Sequence, residues 1–289
     1  MSPDQLCAAR AFFDEHGWVV LRGALTPTDG LAAAAEEVLA RLPQAVVEVA
    51  PGVRQLAGVT RASPILEEAI FGSGWLGAIA RACLGCERVR LLQDLVLMKP
   101  VVTAGATGGR IGWHHDFAYT GYLEAPRTVS VRLALDAETA ETGAMEVLDG
   151  SHRWRFGTRA EGEAGGSEGS PEGSVPRESQ GVDPRVHDGF VDDRLLPELI
   201  ARDPGLAARV EASRRVLCLA PGDVSVHHAL TLHGSRANTG GGRRRTLIHH
   251  VFDASLRFVE EGLPSPDMIY WIETDEEGRL AGPLHPLLP

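Results

Sequence analysis

The sequence predicts an α+β fold, with helices packed around a double-sheet jelly roll. Three observations carry this prediction. Helical periodicity dominates the chain up to about Cys83, and strand patterns dominate from about Val89 onward. Within the strand-rich part, Thr128–Asp136 alternates cleanly between apolar and polar side chains. One long polar insertion, at about 157–192, interrupts the strands before they resume. Helices, then strands, then an insertion, then strands again fit one domain over residues 1–289 with a two-sheet centre.

Each element has a local reason. Leu6, Ala9, Phe12 and Phe13 recur at helical spacing over residues 4–16, and Gly17 stops that helix. Trp18–Arg22 reads as a short strand. Thr26-Pro27-Thr28-Asp29 opens a second helix, running to about Leu42, because Thr or Asp caps and Pro fits the first turn. Residues 64–83 read as mostly helical, with Gly85 as the cap. Along the strand that follows, Gln93, Leu95, Leu97 and Lys99 share one face, and Pro100 ends it. In the alternating segment, Val129, Val131, Leu133 and Leu135 should pack under helices. Thr128, Ser130, Arg132 and Ala134 should line an interior. Gly, Ser, Glu and Pro dominate 162–178, the composition of a flexible loop or lid. Residues 193–213 return to a helical pattern. Val216–Leu219, Val224–His228 and Leu247–Phe252 close the strand set, and Tyr270-Trp271 forms an aromatic cluster in the tail.

Composition narrows the function classes. The chain has 289 residues, 44% hydrophobic and 23% charged, an ordinary globular balance. Its net charge of −11 argues against nucleic acid, whose backbone requires a basic surface. No apolar run approaches a membrane span, and no basic stretch followed by an apolar one opens the chain, so a cytoplasmic protein acting on a small molecule is expected. No feature sets an oligomeric state. Cys83-Leu-Gly-Cys86 is a single C-x-x-C pair; it reads as buried thiols at a helix–strand junction. Lys99 is the only lysine, a bias toward arginine that fits a GC-rich genome.

The chemistry concentrates in one constellation. His114-x-Asp116 is followed far downstream by His233, and by Arg244 eleven residues later. Two imidazoles and one carboxylate make a facial triad for non-haem Fe(II), leaving three metal positions for a cosubstrate and O2. A following arginine can hold the distal carboxylate of 2-oxoglutarate as a two-pronged ion pair. On a strand, His114 and Asp116 point the same way and His115 points away; His233 must come from another strand. Arg243 and Arg245 lie on the face opposite Arg244, whereas His250 shares the Arg244 face. Both His227 and His228 read as structural residues; of the two, His228 could touch the pocket. Phe117 and Tyr119, just past the motif, are candidate substrate contacts. No Ser–His–Asp set and no phosphate-binding loop competes with this reading.

These residues resemble the phytanoyl-CoA dioxygenase family of Fe(II)/2-oxoglutarate oxygenases. The matching stretches are Phe13–Gly23, Gln93–Pro100, Trp113–Tyr119, Gly143–His152, Gly222-Asp223 and His233–Arg245. The resemblance implies a double-stranded β-helix, the cupin-like form of the jelly roll. It implies oxidative decarboxylation of 2-oxoglutarate to succinate and CO2, with O2 consumed and an organic substrate hydroxylated. Carried over by position, His114, Asp116 and His233 are the iron ligands and catalytic centre. Arg244 holds 2-oxoglutarate with help from Ser235. Lys99 and Leu95 fall in the cosubstrate region, and Gln93 matches a substrate contact. Related halogenases replace the acidic ligand by a small residue; Asp116 keeps it, so halogenation is not expected.

One position departs from the family pattern. Arg132 stands where a tryptophan is common, and the alternation turns it inward. A buried guanidinium needs a partner: a 2-oxoglutarate carboxylate, an anionic substrate group, or an acid such as Asp136 or Asp94. Hydroxylation of a small metabolite is the expected outcome. Desaturation, ring closure or oxidative heteroatom loss would use the same oxidant, and a silent jelly roll that binds a small acid is the non-enzymatic rival.

Overall fold

Short-range signals fix the helices. Helix α1 (Pro3–His16) opens with a capping box, Ser2 accepting from the Gln5 amide and Gln5 accepting from the Ser2 amide. It ends at Gly17, in the left-handed region at φ 77°, where an added Cβ would fall 2.2 Å from His152 Nδ1. Helices α2 (Asp29–Arg41), α3 (Pro64–Glu67) and α4 (Trp75–Leu84) follow; Gly85 closes the last in the left-handed conformation. Helices α5 (Leu195–Arg202) and α6 (Leu206–Ser213) come late in the chain. This computed structural model describes residues 1–25, 28–103, 108–154, 193–260, 263 and 272–289. The insertion expected at about 157–192 and the Tyr270-Trp271 pair lie outside those residues.

Eleven strands are described, in two antiparallel sheets that are not closed into a barrel. The larger sheet runs in the order β1 (Trp18–Leu21), β9 (Val224–His228), β6 (Thr128–Ala134), β11 (Arg244–Asp253), β4 (Val89–Lys99), β3 (Val53–Ala57) and β2 (Val47–Ala50). The smaller runs β5 (Ile111–His114), β10 (His233–Ser235), β7 (Met145–Leu148) and β8 (Arg214–Val216). The β2–β3 hairpin has no strong sequence signature. Its strands are short and partly exposed, and pairing with β4 supplies the order their own pattern lacks.

The alternation in β6 sorts as its pattern predicts. Val129, Val131 and Leu133 join Val224, Val226 and Leu247 in a core capped by α1, α2 and α4. The opposite face carries cross-strand rows. Gln93, His250, Ser130 and His227 form one; Leu95, Ile248, Arg132 and Ser225 form the next; Lys99 and Arg244 pair nearest the strand end. The smaller sheet is backed by Trp113, Leu148 and Trp154 against Leu196, Leu199, Leu206 and Val210 of α5 and α6. Each sheet therefore hides one face under helices and turns the other toward a shared interior. Cys83 is buried in α4, where burial pushes its thiol up to about 12, an inert group.

His249 projects from the helix-covered face of β11. Its ring bonds to the Thr60 hydroxyl at 3.1 Å, and burial pulls its pKa down to about 3. An unfolded histidine titrates near 6.5, so below that pH the unfolded chain takes up a proton that the fold refuses. The stability His249 contributes is thus complete above pH 6.5 and declines as pH falls toward 3. Urea unfolding at pH 6 and pH 5 should show wild type losing up to about 1.4 kcal/mol more per pH unit than His249→Asn. Equal slopes for the two proteins would refute this.

Candidate metal centre and keto-acid pocket

The smaller sheet brings two histidines face to face. His114 on β5 and His233 on β10 are register partners, with ring centroids 4.2 Å apart. The strand β5 ends at His114, so Asp116 opens a short 3-10 turn rather than continuing the strand as the sequence suggested. The turn still swings the carboxylate back to both rings. Asp116 Oδ1 lies 3.8 Å from His114 Nε2 and 3.4 Å from His233 Nε2. One ligand atom from each of the three residues falls within 4.8 Å of the others.

The proton positions suit a metal. His114 Nδ1 donates to the Gly112 carbonyl and His233 Nδ1 to the Thr231 carbonyl, both at 2.9 Å. With those protons committed, each Nε2 keeps a free lone pair toward Asp116. Burial depresses the pKa of both rings, His233 well below its ordinary value, which keeps them neutral. Burial by itself would push the Asp116 carboxyl up; His233, His227 and His250 outweigh it and hold the group well below the usual carboxylate range.

Asp116 is also gripped from the larger sheet. Its Oδ2 accepts from Ser130 Oγ and from His227 Nε2, the latter at 3.0 Å. A carboxylate only accepts, so His227 carries its proton on Nε2. Ser130 spends its single hydrogen on Asp116, so His250 Nδ1, 2.8 Å away, donates to Ser130. Two donors on Oδ2 leave Oδ1 as the oxygen that could ligate a metal. His227 therefore faces the site. His228, the one of the pair that could have touched the pocket, packs toward Phe13 and His152 in a structural role. The last residues of β9 alternate, so only one of the two can face inward. His115 is buried away from the cavity.

The triad opens into a cavity of about 510 Å³ between the sheets. Its wall includes Gln93, Leu95, Tyr119, Arg132, Ser235, Arg244 and His250. Phe117 does not reach it; that ring is buried where the Phe117 amide meets the Ala229 carbonyl, because the 3-10 turn rotates it away. Tyr119 meets His114 edge-on, with centroids 6.0 Å apart. Lys99, far from being a solvated strand end, is 1% exposed and donates to Ser235 Oγ at 2.6 Å and to the Arg236 carbonyl at 2.5 Å. Burial first, then Arg244, pulls its pKa down to about 6.

The arginine triplet sorts by face. Arg243 pairs with Glu36, and Arg245 with Asp136 and Glu36. Arg244 turns inward, where its Nε is buried with no partner. Such an orphaned donor beside the triad fits the distal carboxylate of a keto acid chelating a metal there. Arg132 is paired with neither acid the sequence offered. Asp136 is taken by Arg245 and Asp94 accepts from the Thr60 amide; Arg132 bonds to Glu138 at 3.2 Å and to Ser225 Oγ at 3.1 Å. Glu138 and His227 are the residues that sequence reasoning missed. Six positions past Arg132, Glu138 lies beyond the strand, where alternation no longer predicts direction.

A buried His–Asp–His group between the sheets of a jelly roll, with a cationic recess beside it, defines the class of non-haem iron oxygenases that use a keto acid. The phytanoyl-CoA dioxygenase (PhyH) family model matches residues 13–246, and the chain belongs to that family. Fe(II)/2-oxoglutarate-dependent oxygenase chemistry comes with that membership. Among solved structures, the α-ketoglutarate-dependent carbocyclase SnoK from nogalamycin biosynthesis superposes with a TM-score of 0.70 at 22% identity, covering 100% of this chain and 97% of that one. The epimerase SnoN, in complex with Fe3+, α-ketoglutarate and nogalamycin RO, gives 0.65 at 19% identity over 100% of both chains. EctD from S. alaskensis, with 2-oxoglutarate and 5-hydroxyectoine, gives 0.64 at 21% identity over 98% of this chain and 89% of that one. At these identities the likeness speaks for the fold. A comparison with curated proteins finds no match. Among the described residues, no helix is long and apolar enough to cross a membrane.

Loss of the grip on Asp116 Oδ2 should loosen the metal. Calorimetric titration with Co(II) should give His227→Leu an affinity about 10–100-fold below wild type, with His228→Gln within about threefold. Wild-type affinity in His227→Leu would show that the hydrogen bond does not orient the ligand.

Proposed function

We propose that the protein hydroxylates a small organic metabolite at a C–H bond, with 2-oxoglutarate as cosubstrate. The reading rests on one observation: the triad and Arg244, whose buried Nε has no partner, line the same cavity. His114, Asp116 and His233 would hold the iron, and Arg244 would anchor the distal carboxylate of the keto acid with Ser235 beside it. When bound, the iron and keto acid supply the activation of O2.

The chain's own residues supply position and exclusion. Ser130 and His227 keep Asp116 oriented. Lys99 ties the Ser235 hydroxyl and the Arg236 carbonyl to the end of β4. Leu95, Leu97, Ile111 and Ile248 give the cavity an apolar wall that sheds water, and Gln93 and Tyr119 offer polar contacts to orient a substrate. The second reading keeps the same residues and changes the outcome to ring closure, desaturation or heteroatom loss; a carbocyclase and an epimerase on this fold favour keeping it. Product mass separates the two: hydroxylation adds one oxygen atom, whereas ring closure or desaturation removes two hydrogens.

With Fe(II), ascorbate and a metabolite panel, wild type should convert 2-oxoglutarate to succinate only when O2 is present. Asp116→Ala should be inactive, and Arg244→Leu should need roughly 10–100-fold more 2-oxoglutarate for half-saturation. No succinate across the panel would instead favour a binding protein.

A further inference from the structure

The acid beneath the arginines has no place in the reaction itself, yet it is the most buried charged side chain among the described residues. Glu138 is 0% exposed, and it meets two guanidiniums that are each 2% exposed. Its Oε2 lies 2.9 Å from Arg244 Nη2 and 3.2 Å from Arg132 Nη2, and its Oε1 accepts from Thr246 Oγ1 at 2.5 Å. Burial would push its carboxyl up, but Arg132 and Arg244 more than offset this and hold it at about 2. The backbone is fixed as well: Glu138 and Leu219 exchange both amide–carbonyl bonds, at 2.8 and 2.9 Å.

The same loop holds Arg244 from a second side. Its Nη1 donates to the carbonyl of Gly143, a residue at φ 73° whose added Cβ would fall 2.4 Å from the Arg236 carbonyl oxygen. Gly143 thus brings its carbonyl close where a side chain would be strained. With both terminal nitrogens engaged by one loop, the guanidinium has little freedom to turn, and its buried Nε is left without a partner.

The charges do not balance. Arg132 and Arg244 share one carboxylate: among the described residues only Glu138 touches both guanidiniums, and Lys99 beside them, its pKa pulled down to about 6, is mostly neutral near pH 7. The next acid, Glu146, is already paired with Arg214 and Arg236. A recess built this way holds its cations apart from each other and keeps surplus positive charge for an incoming anion. Without Glu138, Arg132 and Arg244 would repel, and Arg244 would retain only the Gly143 carbonyl among these contacts.

We infer that Glu138 is a positioning residue for the keto acid: by bridging Arg132 and Arg244 it sets the guanidinium that receives the distal carboxylate. Arg132 then acts through Glu138 rather than on the ligand. This rests on the proposed 2-oxoglutarate reading, and the test separates the two. Co(II)-loaded protein is titrated calorimetrically with 2-oxoglutarate in the absence of turnover. Glu138→Ala should bind 2-oxoglutarate about 10–100-fold more weakly, while its Co(II) affinity stays within about threefold of wild type. Glu138→Gln, which still offers one oxygen to Arg244, should fall between. Should Glu138→Ala not fold, Thr246→Val, which removes only the hydroxyl on Oε1, should weaken 2-oxoglutarate about 3–10-fold. Unchanged or tighter 2-oxoglutarate binding in these variants overturns the inference, as does an equal loss of Co(II) affinity. Failure of wild type to bind 2-oxoglutarate overturns the functional reading instead.

Discussion

The carboxylate of Asp116 is the point on which the two sheets agree. One oxygen faces His114 and His233 of the smaller sheet; the other is held by Ser130 and His227 of the larger. A ligand set drawn from one sheet alone would leave that second oxygen free to rotate. Here the inter-sheet spacing is read out at a single side chain. Packing that shifts either sheet moves Oδ1 relative to the two imidazoles, so the helices behind each sheet take part in metal geometry without touching it.

A parallel constraint acts at the far end of the cavity. Buried charge is costly unless paired, and two guanidiniums there converge on one carboxylate. The loop 136–143 answers for two consecutive arginines at once, Asp136 taking Arg245 outside and Glu138 taking Arg244 inside. The triad end is thus governed by proton placement and the arginine end by charge placement. The cavity between them has an aliphatic wall of Leu95, Leu97, Ile111 and Ile248, with Gln93 and Tyr119 among its polar members.

Much of this was legible in the residues, and the reasons for success and failure are specific. Alternation over Thr128–Asp136 separated core from interior because a two-residue period survives in any strand covered on one face. The same logic separated Arg244 from its neighbours and put Gln93 and Leu95 on the cavity wall. It failed wherever the strand stopped. Asp116 and Phe117 lie in a 3-10 turn and Glu138 in a loop, so parity carried no information about their directions. It gave no warning of His227, where two adjacent histidines made the choice of face a matter of strand phase. Arg132 did announce a missing partner, but nearby acids in sequence were poor candidates because the outward-facing Arg245 had already claimed Asp136.

Lys99 gives the molecule an unusual chemical property. It is the only side-chain amine, and the fold closes over it completely. Amine-directed acylating reagents therefore have no lysine to attack while the strands β4 and β11 stay paired. Acylation of that nitrogen would mark molecules in which the β4–β11 end of the cavity has opened, with the N-terminal amine the only other amine to account for.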